Sequence, residues 1–173
     1  MNYSGRDLVL GGLFLALALA LPVVFHAVGL GRAFLPMFLP IVTAGFLTVL
    51  PVALTVGMLS PLTSAALTGM PPFFPPVAFI MMIEGIVLAG VPSLLRRKLG
   101  WNIWGVLALT VFLDRLLLLV AVFFVSTWLD LPEKVLSVAA VIEGFPGILI
   151  LFLVVPVIVG KLEKILKNLP VSE

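Results

Sequence analysis

An Asp114-Arg115 pair lies near the middle of a long apolar stretch, 101–128, that carries tryptophan at both ends. At about 1.5 Å per residue, a helix would separate Trp104 from Trp128 by roughly 36 Å, close to the distance between the two interfaces of a bilayer, where indole rings are enriched. This spacing predicts a transmembrane helix. Because a charged side chain facing lipid is unfavourable by several kcal/mol, we expect both charges to face protein or a water-filled cavity.

Two further acids lie inside other apolar stretches, Glu84 in IMMIEGIVLAG and Glu143 just before Pro146. Three carboxylates cannot all pair as ions with one guanidinium. Either one or two of the acids are protonated, or the site awaits a ligand that offers hydroxyls, N–H groups or positive charge. A purely architectural bridge between Arg115 and one carboxylate, with the other acids neutral and hydrogen-bonded, is the alternative.

The composition decides the class of protein that must hold these charges. The chain has 173 residues, of which 62% are hydrophobic and 10% charged, and its mean hydropathy is +1.33. A soluble domain cannot hide that much apolar surface, so we expect an all-α integral membrane protein with a single membrane domain over residues 1–173. The net charge of +2 comes from basic residues at the ends of spans, which excludes nucleic acid as a partner. With no cysteine and one histidine, ordinary metal sites are excluded and no cofactor is predicted.

The apolar runs predict a bundle of six transmembrane helices. The second is short because prolines interrupt and close it, and a proline-rich loop, GMPPFFPP, follows the third. The predicted helices span approximately residues 7–28, 35–50, 52–68, 77–95, 101–128 and 134–167.

Basic residues predict the orientation of this bundle. With six spans and the N-terminus in the cytoplasm, seven basic residues are inside and only Arg32 and Lys134 are outside, which favours an N-in, C-in arrangement. The seven are Arg6, Arg96, Arg97, Lys98, Lys161, Lys164 and Lys167. The loops at 29–34, 69–76 and 130–134 then share the outer face.

The intramembrane charges are predicted to converge beneath those outer loops. At helical rise, Glu84 is roughly 12 Å, Glu143 roughly 15 Å and Asp114-Arg115 roughly 20 Å below the outer face. Aromatic rings near the outer mouth could stack a flat ligand or anchor the loop in the headgroup layer. The predicted substrate-binding residues are Glu84, Asp114, Arg115, Glu143, His26, Arg32, Phe34, Met37, Phe73, Phe74 and Phe79.

The first helix carries Gly12, Ala16 and Ala20 at intervals of four residues, which form one smooth ridge. Such ridges allow another helix to approach closely in lipid. The ridge either packs against a helix of the same chain or docks a separate subunit.

Two other functional classes, an intramembrane enzyme and a stand-alone carrier, fit the sequence less well than a solute-binding subunit. An intramembrane enzyme has little support because the chain has no GxSG or HExxH motif, so no catalytic residue is predicted. A stand-alone ion-coupled carrier is opposed by the absence of an obvious inverted repeat, and no Walker A motif is present to provide energy. A small membrane subunit that binds a solute and is driven by another protein fits better.

Several stretches resemble the substrate-specific S components of energy-coupling factor (ECF) vitamin transporters. These are the AxxxA element of Ala16 and Ala20, GRAFLPMFLPIVTAGF at 31–46, LSPLTSAALTGMPP at 59–72, and a fourth helix with a mid-span glutamate. The pattern is most similar to the group assigned to α-ribazole or dimethylbenzimidazole. One departure is Phe38, where an LPMH-type motif has histidine.

The resemblance implies a six-helix bundle in a prokaryotic cell membrane that captures a vitamin-like solute from outside. It also implies docking, through the AxxxA face, to a transmembrane T component that bears two ATP-binding-cassette ATPases. From charge and rings we expect a neutral or weakly basic aromatic ligand such as α-ribazole. Pantothenate is the alternative and would rely on Arg115 as a carboxylate clamp.

Overall fold

The computed structural model describes residues 4–27, 29, 34–74, 76–128 and 144–168, and within these ranges it contains helices and no β-strand. The all-α prediction is therefore confirmed. A π-helical turn, Ser93–Lys98, continues the fourth helix. The helices are α1 (Gly5–Ala27), α2 (Phe38–Leu47), α3 (Leu50–Thr68), α4 (Val77–Pro92), α5 (Ile103–Trp128) and α6 (Phe145–Asn168).

In the described part of the chain, five helical segments are long and apolar enough to cross a membrane. They are Gly5–Ala27, Leu50–Thr68, Val77–Lys98, Ile103–Phe124 and Phe145–Asn168. The predicted second span, 35–50, is a shorter apolar helix of ten residues, about 15 Å long at 1.5 Å per residue. The sequence therefore places its membrane-length helices correctly, whereas the length of α2 differs from the prediction.

The backbone on both sides of α2 explains why it is short. Leu35 has a positive φ of 47°, so the chain enters the helix through a turn. Thr48 and Val49 are extended and end it. Pro51 lies in the first turn of α3, where a missing N–H is harmless, rather than closing α2 as predicted. Of the predicted last helix, 134–167, residues 134–143 lie outside the described part.

Helix α2 is the centre of the bundle. All of its residues except Leu39 are buried, and it packs against α1, α3, α4 and α6. Phe46, Ile41 and Val42 are among the largest fully buried side chains. A helix that is apolar on every face is buried by its neighbours, and α2 fits that description.

Glycines set two close helix crossings, and both involve α4. Gly57 of α3 and Gly85 of α4 face each other, so that a Cβ on either would overlap the carbonyl of the other. Gly45 of α2 meets the backbone of Ala89 in the same way. In lipid, small residues allow this close approach of backbones. These crossings fix the depth and rotation of α4, and with it the position of Glu84.

The break between α2 and α3 is buried, and its carbonyl groups are bonded by side chains from the end of α4. The Arg97 guanidinium donates to the carbonyl of Leu47 at 2.9 Å, and the Ser93 hydroxyl donates to that of Thr48 at 3.1 Å. Irregular backbone that is buried in protein is tolerated only where other protein groups satisfy its hydrogen bonds. Side chains of the π-helical turn thus donate hydrogen bonds to the backbone at the end of α2.

Asp7 completes the same network from α1. Its Oδ1 accepts from the amide of Val49 at 3.1 Å and from Arg97 at 3.2 Å, and its Oδ2 accepts from the Ser4 hydroxyl at 2.6 Å. Three elements that are distant in sequence are therefore joined at one end of the bundle.

That end, here called the basic end, carries the seven basic residues predicted to share one membrane face. Arg6 of α1 donates to the carbonyl of Leu166 in α6, and Arg96 pairs with Glu163 at 3.2 Å. These contacts bring the start of α1, the turn after α4 and the end of α6 together. The opposite end holds the end of α1, the non-helical segment that begins at Gly69, and the start of α6.

The glycine crossing gives a stability prediction. Gly85→Ala places a methyl group against the α3 backbone and should lower the free energy of unfolding by about 1–3 kcal/mol. Gly12→Ala is the matched control, because a Cβ there meets nothing within 4 Å and alanine favours helix. Thermal unfolding of both variants in one mild detergent measures the difference, and equal midpoints would contradict the crossing.

Candidate functional site

Three of the four predicted intramembrane charges come together between α4 and α5. The Asp114 carboxylate accepts two bonds from Arg115 through Oδ2, at 2.9 Å from Nε and 2.6 Å from Nη2. The same Nη2 lies 3.9 Å from Oε1 of Glu84. Glu84 is 3% exposed and Asp114 2%, so the cluster is inside the protein.

The helical repeat of α5 explains why Asp114 points inward. Val106, Leu107, Thr110, Val111 and Asp114 are all buried, and their spacing follows one face of a helix. The Thr110 hydroxyl donates to the carbonyl of Val106 and needs no other partner. The only charge on this inward face of α5, within its described side chains, is therefore Asp114.

Arg115 is one position beyond that face, and its guanidinium reaches back to the cluster. Its side chain is 14% exposed. Both bonds end on Oδ2, so the pair lacks the bidentate fork in which each carboxylate oxygen accepts one bond. Within the described chain, Asp114 thus takes two of the guanidinium nitrogens.

Two fully buried carboxylate oxygens of the cluster have no hydrogen-bond partner among the residues that the structure describes. They are Oε1 of Glu84 and Oδ1 of Asp114, since 3.9 Å is too long for a hydrogen bond from Arg115. Leaving a buried acceptor unpaired is unfavourable by about 1–3 kcal/mol, and by more when the group is charged. The cluster therefore presents acceptors to which a further donor can bind.

Gly144, which sequence reasoning did not single out, borders the cluster. A Cβ there would lie 3.2 Å from Nη1 of Arg115 and 3.1 Å from Leu35. The guanidinium thus lies beneath the start of α6 and the turn before α2. The sequence signal that could have identified Gly144 is its place between Glu143, a predicted site residue, and Phe145, where α6 begins. Glu143 and Arg32, also predicted site residues, lie outside the described part.

The predicted aromatic residues form separate pairs near the opposite end. Phe34 packs on Phe25 with ring centroids 5.9 Å apart, and Phe73 packs on Phe79 at 5.8 Å. Phe73, Phe74 and Phe79 are exposed. Five residues separate Phe79 from Glu84, about 140° around the helix, so the two occupy different faces. No described contact joins these rings to the charged cluster.

The remaining predicted site residues divide in the same way. Met37 is buried in the core beside Phe38, while His26 is exposed at the end of α1. Neither has a described contact with the three charged side chains. In the ranges that the structure describes, no three His, Asp or Glu side chains are grouped so that they could hold a metal ion.

The small-residue ridge of α1 is uncovered. Gly12, Ala16 and Ala20 are exposed, whereas the neighbouring Gly11 packs against Val52. A groove of about 320 Å³ runs beside the ridge between α1 and α3. In the described part of the chain, therefore, no helix packs over this ridge.

No family model, curated protein or solved structure matches this chain. Its function therefore has to be inferred from its own residues and their geometry.

Removing the cation of the cluster should destabilise the protein. Arg115→Met leaves two buried carboxylates facing each other and should lower the free energy of unfolding by about 3–5 kcal/mol. Adding Asp114→Leu removes one of them and should restore part of that loss. Lys98→Gln, which removes an exposed cation, is the control and should change stability by less than about 0.5 kcal/mol. Additive losses in the double variant, measured by thermal unfolding, would contradict the pairing.

Proposed function

We propose that this chain is the solute-binding S component of an ECF-type importer and captures a vitamin-like small molecule from the outer face of a prokaryotic cell membrane. The observation that carries the proposal is the buried Glu84–Asp114–Arg115 cluster, in which two carboxylate oxygens have no hydrogen-bond partner within the described part of the chain. Ionisable residues inside a membrane bundle otherwise mark solute or ion pathways. The motifs at 31–46 and 59–72, which resemble those of S components, support the same function.

In this proposal the basic end faces the cytoplasm, because basic residues are enriched on that side. The N-terminus and the end of α6 are then cytoplasmic. The proposed bundle has six membrane spans when α2 is counted as a short span enclosed by protein. Helix α2 can be short because its neighbours cover its ends and sides.

The proposed ligand is neutral or weakly basic and carries hydrogen-bond donors. Two free acceptors face it, and Arg115 is already bound to Asp114, so the site does not favour a multiply anionic solute. α-Ribazole remains the best candidate, because its ribose hydroxyls can donate hydrogen bonds to the carboxylate oxygens of Glu84 and Asp114. Pantothenate would require Arg115 to leave Asp114.

Calorimetric titration of the purified protein tests this choice. We expect α-ribazole to bind and pantothenate not to bind. Glu84→Gln removes the charge of one acceptor and should weaken binding at least tenfold, because a few polar groups orient a ligand in such sites. Glu163→Gln makes the same chemical change at the basic end and should leave affinity unchanged. Tight binding of pantothenate alone would overturn the ligand assignment, and equal affinity in both variants would overturn the site.

The energy for transport is proposed to come from partner subunits. A transmembrane T component would dock on the exposed ridge of α1, and two ATP-binding-cassette ATPases would hydrolyse ATP. The smooth surface of Gly12, Ala16 and Ala20 suits close approach of a partner helix in lipid. This chain then acts as a binding subunit, and the ATP-hydrolysing sites lie in its partners.

Ala16→Trp tests this docking face. The bulky side chain should prevent assembly with the coupling subunits in a pull-down from co-expressing cells, while α-ribazole binding to the isolated chain persists. Leu17→Trp is the control, since it adds an indole at another exposed position about 100° around the same helix. Normal assembly of the Ala16→Trp variant would reject the ridge. Uptake by liposomes that contain this chain alone would instead support a stand-alone carrier.

A further inference from the structure

The arginines and lysines of the basic end differ in what they contact. Each of the three arginines donates a hydrogen bond within the protein: Arg6 to Leu166, Arg96 to Glu163 and Trp101, and Arg97 to Asp7 and Leu47. Their guanidinium groups tie helices together. Arginine at this end therefore has a structural role.

The four lysines of the basic end are all exposed and have no hydrogen-bond or ion-pair partner in the described part of the chain. They are Lys98, Lys161, Lys164 and Lys167, here called the lysine patch. Four ammonium groups without an internal partner remain available to an external anion.

The Arg96–Glu163 pair joins the two segments that carry these lysines. Lys98 follows Arg96 by two residues, and Lys164 follows Glu163 directly. The two acids described at this end, Glu163 and Asp7, are each bound by an arginine at 3.2 Å, Glu163 by Arg96 and Asp7 by Arg97. The patch therefore keeps a net positive charge.

The end of α6 lies as an amphipathic helix at this position. Leu162 and Leu166 pack against the core, while Lys161 and Lys164, about 60° apart around the helix, point away from it. Lysine on the polar side of such a helix is typical of segments in the headgroup layer.

Two exposed indoles mark the depth of the patch in the membrane. Trp101 and Trp104 are 50% and 53% exposed, and the Trp101 carbonyl is bonded by Arg96 at 3.1 Å. Because indole rings prefer the level of the lipid headgroups, the lysines lie at the height of the lipid phosphates.

We infer that the lysine patch is a binding site for anionic phospholipids. The ammonium groups bind the headgroup phosphate, and the exposed side chains of Leu99 and Ile165 contact the upper part of the acyl chains. This inference is independent of which solute the chain carries, because the patch and the Glu84 cluster lie toward different ends of the bundle.

Native mass spectrometry with defined lipids tests the site. Purified protein is incubated with phosphatidylglycerol and phosphatidylcholine that have identical acyl chains. Wild-type protein should retain phosphatidylglycerol at least tenfold more strongly. A basic residue near such a surface contributes about fivefold at moderate salt, so replacing all four lysines with glutamine should abolish the preference. Replacing all four with arginine keeps the charge and should preserve it.

A separate arm uses inorganic phosphate at the same concentration. Failure of phosphate to displace the lipid supports a phospholipid site, whereas complete displacement would show a site for small anions and overturn the inference. An unchanged preference in the glutamine variant would also overturn it. Because these lysines make no described internal bond, that variant should unfold at the wild-type temperature. If it does not fold, Lys98→Gln with Lys164→Gln replaces it and should lower the preference at least fivefold.

Discussion

Every polar group inside this bundle must find its partner within the protein, because lipid offers none. The buried break between α2 and α3 shows how completely the fold meets that requirement. Arg97 and Ser93 bond the carbonyls of Leu47 and Thr48, and Asp7 bonds the next amide. A ten-residue central helix is possible only because two other segments, α1 and the Ser93–Lys98 turn, supply these groups.

The charged cluster departs from that rule. Arg115 bonds one oxygen of Asp114 twice, yet Oδ1 of Asp114 and Oε1 of Glu84 have no hydrogen-bond partner in the described ranges of the chain. The glycine crossing beside Gly85 holds Glu84 at this depth, so the unpaired oxygen is fixed by packing. The fold supplies hydrogen-bond partners for the backbone at the α2–α3 break, but its described residues supply none for these two carboxylate oxygens. We therefore assign the two oxygens to a ligand.

Hydropathy and charge were enough to predict the membrane-length helices, the clustering of basic residues at one end, and the inward position of Asp114. The short length of α2 was not predictable, because an apolar run does not reveal where a buried turn satisfies its backbone. The spacing of small residues pointed to the α1 ridge, whereas Gly57 and Gly85 form a close crossing inside the bundle. Helical periodicity identifies the buried face of a helix but not the residues that pack against it. The position of Gly144 beside Arg115 was therefore not predictable.

The central claim is that the Glu84–Asp114–Arg115 cluster holds a small solute. Native mass spectrometry of the chain, purified gently from cells in mild detergent, tests it most directly. Wild-type protein and Glu163→Gln should carry one small molecule of defined mass in a one-to-one ratio, and Glu84→Gln should lack it. A wild-type protein without any such molecule, or the same molecule retained equally by Glu84→Gln, would contradict the claim.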